Sequence, residues 1–415
     1  MTESPAEGSS TNEPLVINDF EILEEIGSGG FSRVHLAKHQ KTGTYAAVKI
    51  VNLPALQEGE FVGIMREISV FMQVDHPNIC SLYNLTVYKN QLYFFMECAP
   101  GGTLLSMVNQ KKGLKEPEAQ KLFIQLYSAV RHLHTMHFLV HRDLKLENVL
   151  LDANGNVKLT DFGLSSTNYC NKMRTIVGTP GFSAPEVLAG ADYDEKCDVW
   201  SLGVCLYAML TAMLPFTPQN TNPRQLIEEA TKLTFPPSFT PAVQDLLKRM
   251  FEVRPSNRMT LIQLQNHPWL RGLSQIRNVT PHPIVFYNVP KIQDIAKFKR
   301  KPWKPVQAVL DKCTELGYNS EDITKDLEEG QINENTTAYF CLLYPLTEKP
   351  CFSQPKSQTV CAGSKKRVVT EKKMGSATML GRMSPGRTNS STLKSGAKAV
   401  VGPRKNLSSH HNHGL

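Results

Sequence analysis

Across 415 residues there is no CxxC pair, no cysteine–histidine spacing of the metal-ligand type and no internal repeat. The nine cysteines are odd in number and scattered, which argues against a disulfide framework and for free thiols in a reducing compartment. The opening residues, MTESPAEGSS, carry neither a basic run nor an apolar one, so no secretory signal is expected. Acidic residues are almost missing from residues 351–415, where twelve lysines and arginines face Glu371 alone. That stretch is +11 within a chain of formal charge +8, so the other 350 residues sit near −3. A general polyanion-binding role for the folded part is therefore not expected, nor nucleic acid as a partner, and any basic surface lies in the tail. Charge is absent altogether from residues 199–216 (VWSLGVCLYAMLTAMLPF), a run that hydropathy alone would pass as a membrane span. Asp198 and Pro215 confine it and globular motifs surround it, so a buried central helix is expected, not a transmembrane segment.

The rest of the composition is ordinary for a globular protein, 41% hydrophobic and 20% charged, and the length exceeds what one core usually serves. Residues 1–18 are small and polar, a flexible leader. From Phe20 the pattern alternates. Between Thr44 and Ile50, Tyr45, Ala47 and Lys49 fall on one face and Ala46, Val48 and Ile50 on the other. Then Phe61, Ile64, Met65, Ile68, Phe71 and Met72 recur at three and four, predicting an amphipathic helix. Leu92–Met96 reads as a strand, and Leu122, Phe123, Leu126, Val130, Leu133 and His137 mark one long helix. Val149–Leu151 and Val157–Leu159 flank Asn154 and Gly155, a hairpin signal. A strand-rich part is thus followed by a larger helical one, with a proline-rich linker over 271–305, a helical stretch at 306–345 and a basic tail at 346–415 expected to be disordered.

Three groups of residues carry chemistry. Ile26 to Val34 (IGSGGFSRV) is a glycine-rich turn between strands, where small residues let backbone N–H groups approach phosphate oxygens. No helix follows it, which argues against a dinucleotide fingerprint and a Walker loop. Lys49 stands in an apolar run (AAVKI) and needs an anionic partner, which Glu67 on the inward stripe of the next helix can supply. His141 to Asn148 (HRDLKLEN), followed by Asp161 to Gly163 (DFG), provides two acids and an amide in the order phosphoryl transfer needs. One carboxylate takes the hydroxyl proton, while Asn148 and the second carboxylate hold Mg²⁺ against phosphates. Lys145 can neutralise charge on the moving group.

Together with Ala184 to Glu186 (APE), Asp198 to Trp200 (DVW), Arg258 and His267 to Trp269 (HPW), this set resembles the eukaryotic protein kinase superfamily over about 250 residues. The resemblance implies an α+β, bilobal kinase fold over 19–270, with a small β-rich lobe and a large helical lobe. It implies ATP and Mg²⁺ as cofactors and protein serines or threonines as substrates. By position, Asp143 resembles the catalytic base, and Asn148 and Asp161 the metal ligands. Lys49, fixed by Glu67, would hold the α and β phosphates. Ile26, Gly27, Ser28, Gly29, Gly30, Val34 and Ala47 would cover the nucleotide, Met96 would be the gatekeeper, and Glu97 and Cys98 the adenine-binding hinge. Phe71, Leu82, His141 and Phe162 would form an apolar stack between lobes, and Glu186 with Arg258 a buried ion pair. Lys145 and the Gly178-Thr179-Pro180 stretch are serine/threonine-kinase features. Leu146 is typical of the calmodulin- and AMP-activated-kinase-like group, where Thr175 would be phosphorylated by an upstream kinase and pair with Arg142. Two positions depart from the pattern: Ser32 replaces the third glycine, and Thr103 stands where basophilic relatives carry glutamate, which puts a strict arginine requirement in doubt. Residues 306–345 read as three short helices and resemble a ubiquitin-associated-like domain, expected to contact its own kinase domain. The expected location is intracellular, in the cytoplasm, the nucleus or both.

Overall fold

A computed structural model describes residues 14–28, 32–167, 173–270, 298–350 and 352. Expectations for the start of the leader, for Gly29 and Gly30, for 271–297 of the linker and for the tail beyond 352 lie outside the described residues.

Alternation in the first hundred residues builds one antiparallel sheet. Its strands are β1 (Val16–Ile17), β2 (Phe20–Ser28), β3 (Ser32–His39), β4 (Tyr45–Asn52), β5 (Leu82–Tyr88) and β6 (Gln91–Glu97), in the order β1-β2-β3-β4-β6-β5. Helix α1 (Glu58–Gln73) follows β4. Its start is fixed by Gln57 and Glu60, which exchange side-chain and backbone hydrogen bonds, with Glu58 and Glu60 favourable at the positive end of the helix dipole. Its inward stripe buries Ile64, Glu67, Ile68 and Phe71.

The larger lobe contains α2 (Leu104–Lys111), α3 (Glu116–His137), β7 (Leu139–Val140), β8 (Val149–Leu151), β9 (Val157–Leu159), β10 (Ser166–Thr167), α4 (Pro185–Leu188), α5 (Lys196–Thr211), α6 (Pro223–Thr231), α7 (Pro241–Met250) and α8 (Leu261–Gln265). Strands β8 and β9 pair antiparallel around Gly155, whose φ of +75° suits the turn. The charge-free run lies mainly on α5, where thirteen of sixteen residues are buried. Such a helix is apolar all round because it has no solvent face. At 16 residues it reaches about 24 Å, short of a bilayer's ~30 Å core. No helix among the described residues is long and apolar enough to cross a membrane. The six described cysteines are all free and buried.

Helices α9 (Gln307–Glu315), α10 (Ser320–Glu328) and α11 (Glu334–Leu343) form a third layer. They do not hold a core of their own apart from the rest. Leu310, Ile323, Leu327, Tyr339 and Phe340 join Phe20, Ala46, Val48, Tyr93 and Phe95 in one buried cluster, so the outer face of the sheet is roofed by helices. Thr337 accepts from Asn84 Nδ2 at 2.7 Å, the Cys341 carbonyl accepts from Thr44 Oγ1 at 3.2 Å, and the Tyr344 carbonyl accepts from Tyr83 OH at 2.9 Å.

Two expected boundaries shift. Within the stretch assigned to the linker, the Lys301 N–H caps the end of α1 through the Met72 carbonyl at 3.0 Å. Arg300 lays its guanidinium over the Phe340 ring at 4.1 Å and donates to the Leu82 carbonyl. Gly330, at φ +68°, lies so close that a Cβ there would strike the Arg300 carbonyl. Packed chain also continues past residue 345, where Leu346 and Phe352 lie against the small lobe. Composition marked the first as a proline-rich linker and the second as a disordered basic tail, because a few anchoring side chains among many small ones leave no periodic signal.

Candidate active site

Strand register places the nucleotide-site candidates side by side. Val34 pairs with Lys49, Leu36 with Ala47, and Gly27 with Val34. On the other flank of β4, Ala47 pairs with Met96 and Lys49 with Phe94. Directly paired residues share a face, so Val34, Ala47, Lys49 and Met96 line the inner side of the sheet. Ile26 and Ser28 lie at the end of β2, where pairing slips between Ile22 and Gly27.

Lys49 Nζ meets both carboxylate oxygens of Glu67, at 2.7 and 2.8 Å, and lies 5.6 Å from the Phe94 ring centre. Burial alone would pull the ammonium's pKa down, but the carboxylates of Glu67 and Asp161 outweigh it and hold Lys49 above its ordinary value. It is a fixed cation facing the cleft.

Below the sheet, Asp143 accepts Lys145 Nζ at 2.6 Å and Thr179 Oγ1 at 2.8 Å. Lys145 Nζ also donates to Thr179 Oγ1 at 3.1 Å, and its pKa is raised because the Asp143 carboxylate outweighs burial. Asn148 Nδ2 donates to the Asp143 carbonyl at 2.9 Å and carboxylate at 3.2 Å, which turns the amide oxygen elsewhere. Asp161 is exposed, with a long 3.4 Å bond from the Gly163 N–H. The oxygens of Asn148 and Asp161 are hard donors of the kind Mg²⁺ takes, so the residues present fit that ion.

Two non-glycine residues here are left-handed, Arg142 at φ +69° and Asp161 at φ +66°. Such backbones persist only where the surroundings over-determine them. Asp198 does this for the loop that carries Asp143. Fully buried, it accepts the N–H groups of His141 (2.8 Å) and Arg142 (2.9 Å) and His134 Nε2 (2.7 Å). Burial would raise its pKa, yet these donors hold it below the ordinary carboxylate value. Phe162 is fixed by Phe71 and His141, each 5.4 Å away between ring centres, and Leu82 is buried in the same core. Glu186 and Arg258 form a two-pronged buried ion pair at 2.5 and 2.9 Å, with Trp200 stacked on the guanidinium.

These features decide the kinship. The protein kinase domain description matches residues 20–270. The chain belongs to the protein kinase family. It is 33% identical to the SNF1-related protein kinase catalytic subunit alpha KIN12 of Arabidopsis thaliana over 331 residues, 79% of this chain and 64% of that one. It is 34% identical to sperm motility kinase 3A of Mus musculus over 82% of this chain and 64% of that one. Against serine/threonine-protein kinase SIK2 of Gallus gallus the identity is 32%, over 83% and 42%. The chain thus spans less than two thirds of the length of these relatives.

Within this kinase, the hinge candidates divide. Cys98 is buried against Leu36 and Tyr45, and burial pushes its thiol up to about 12. The Glu97 side chain turns to the rear instead, where Lys158 Nζ meets it at 2.5 Å, and the Glu97 N–H donates to Ser81. Any contact from Glu97 to a nucleotide therefore passes through its carbonyl, since neither its side chain nor its N–H faces the cleft. Thr175 is exposed, and its carbonyl accepts from Tyr193 OH at 2.8 Å. Tyr193 OH accepts in turn from Arg142 Nη1 at 3.2 Å. Sequence reasoning missed Tyr193 and also Arg66, whose pKa is lowered by burial and by the neighbouring Arg142 guanidinium. Arg66 lies one residue before Glu67, and that adjacency was the one available signal. Gly178, at φ +90°, crosses the Arg142 carbonyl so closely that a Cβ would lie 2.5 Å from it.

Proposed function

We propose that this chain is an Mg²⁺- and ATP-dependent protein kinase acting on serine and threonine hydroxyls. The observation that carries the reading is the alcohol already resting on Asp143: Thr179 Oγ1 donates to that carboxylate at 2.8 Å while Lys145 contacts both. A substrate hydroxyl at the same carboxylate would be oriented by it and would give up its proton to it as the new O–P bond forms. Lys145 supplies positive charge where the transferring phosphoryl group becomes more anionic. Lys49, held by Glu67, would fix the α and β phosphates under Gly27, Ser28 and Val34, with Ile26, Ala47, Met96 and Cys98 around the base. Mg²⁺, held by Asn148 and Asp161, would neutralise phosphate charge.

Regulation would run through Thr175. The Arg66 and Arg142 guanidiniums repel each other, and a phosphate on Thr175 would relieve that repulsion and order the segment. An upstream kinase is the natural writer of this mark. Residues 306–345 would be a ubiquitin-associated-like domain docked on its own kinase domain, and the enzyme would work inside the cell, in the cytoplasm or nucleus.

The test is phosphate transfer from ATP to a degenerate serine/threonine peptide library, wild type beside Asp143→Ala. Transfer by wild type alone supports the reading and reports the preferred flanking residues. If neither protein labels any peptide, even after treatment with an activating kinase, the proposal fails.

A further inference from the structure

After α11 the chain runs forward as a strap. Tyr344 anchors its rear: the hydroxyl donates to Asp75 Oδ1 at 3.3 Å, the carbonyl accepts from Tyr83, and Lys158 sits 5.3 Å over the ring. Two residues on, the Leu346 carbonyl accepts the N–H of Tyr45 at 2.8 Å. Tyr45 is the first residue of β4, one position beyond the last pairing of β4 with β6, so the strap takes the edge slot that β6 vacates at the hinge. Lys349 then reaches Glu24 on β2 at 2.9 Å. The direction of travel is from the back of the hinge, round the edge of β4, toward the glycine-rich strand.

It ends in an apolar group that no other segment beyond the kinase domain touches among the described residues. Leu346 and Phe352 pack against the buried group of Leu36, Tyr45 and Cys98, the same group against which Leu23, Ile26 and Ala47 pack. Ile26, Ala47 and Cys98 are three of the residues assigned above to the nucleotide base. Leu36 is paired with Ala47 across the same inner face. Both strap residues are only partly buried.

The geometry points to Phe352 as a nucleotide-binding residue, the outer wall of the adenine site, supplied in cis by the segment after the three-helix layer. This rests on the ATP-dependent reading above and extends it: the site is complete only when chain from outside the kinase domain closes its mouth. An aromatic face at that edge offers a purine an apolar, polarisable surface, and the strap's three hydrogen bonds and one ion pair hold it there.

Full-length Phe352→Ala and Phe352→Leu are the variants, measured by steady-state kinetics with ATP and peptide varied separately and by calorimetric titration with ADP. Phe352 is partly exposed, so folding should be unaffected, and a thermal melt checks this. The expected result for Phe352→Ala is KM for ATP and Kd for ADP raised about five- to tenfold, with kcat and KM for peptide unchanged. Phe352→Leu should recover part of the loss. An unchanged KM for ATP overturns the inference, and so does a lower one, which would make the side chain a plug competing with nucleotide. Wild type serves as the internal control: absence of phosphate transfer there sinks the kinase reading, whereas transfer with an indifferent Phe352→Ala sinks only the strap.

Discussion

The two faces of the small-lobe sheet are made by alternate residues of the same strands, yet they do opposite things. On β4, Ala47 and Lys49 look into the cleft and remain partly accessible, while Ala46 and Val48 are fully buried beneath the three C-terminal helices. The inner face keeps a buried-end charge, Lys49, because Glu67 matches it. The outer face keeps almost none and is sealed by apolar contacts. One face therefore holds polar groups ready for a ligand, and the other has exchanged solvent for a permanent cover. Alternation at period two is what lets eight residues serve both purposes.

Substitutions on each face should separate chemistry from stability. Asp143→Asn, below the inner face, keeps the shape and removes the proton acceptor. We expect kcat to fall about 10²–10⁴-fold with thermal stability nearly unchanged, and a melt beside an activity assay checks the split. Phe95→Ala on the outer face removes a ring stacked 4.4 Å from Phe20 at the heart of the shared cluster. It should lose about 3–5 kcal/mol in denaturant unfolding while its residual folded fraction keeps a normal KM for ATP. A large KM change with little loss of stability would show that the faces are not independent.

Acid should weaken the outer face. His39 packs edge-on against Phe20, 4.8 Å away, and burial pulls its pKa from 6.5 to about 4, with Asp19, Lys41 and Glu334 nearby. A depressed folded-state value means that the unfolded chain binds the proton more readily. Stability from the neutral ring is thus complete above pH 6.5 and is lost as pH falls toward about 4, by about 3 kcal/mol. Denaturant unfolding between pH 7 and 4.5 should show a shallower acid slope for His39→Gln than for wild type. Equal slopes would remove His39 from the explanation.

The smallest expected effect lies at the activation segment. Thr175→Ala should leave a folded, nucleotide-binding enzyme whose activity after treatment with an activating kinase is about 10–100-fold lower, the worth of one or two charge-assisted hydrogen bonds. Arg66→Gln should lose part of the same activation. Full activity of Thr175→Ala on peptide would reject the switch.

Much of this was legible in the chain. The helix carrying Glu67 was readable because apolar residues recur at three and four, and the hairpin at Gly155 because its flanking strands are short, apolar and divided by a turn pair. The sequence reading places Glu97 at the hinge, while its side chain points to Lys158, a direction that a strand end followed by Pro100 does not reveal. Tyr193 could not be found at all, since it acts only by standing between Arg142 and the Thr175 carbonyl, 51 and 18 residues away. Arg300 and Phe352 were hidden for a different reason: each is one of a few anchors in a stretch with no period.

The sequence by itself determined the local elements, the order of the motifs and the chemical character of the cleft, because turn residues, alternation and charged groups in apolar runs are short-range signals. Only the tertiary structure decided that the outer sheet face would be covered by residues some 250 to 300 positions later, and that the strap would reach the front of the hinge. Those contacts join segments far apart in the chain, where matching surfaces, and not neighbouring residues, select the partner.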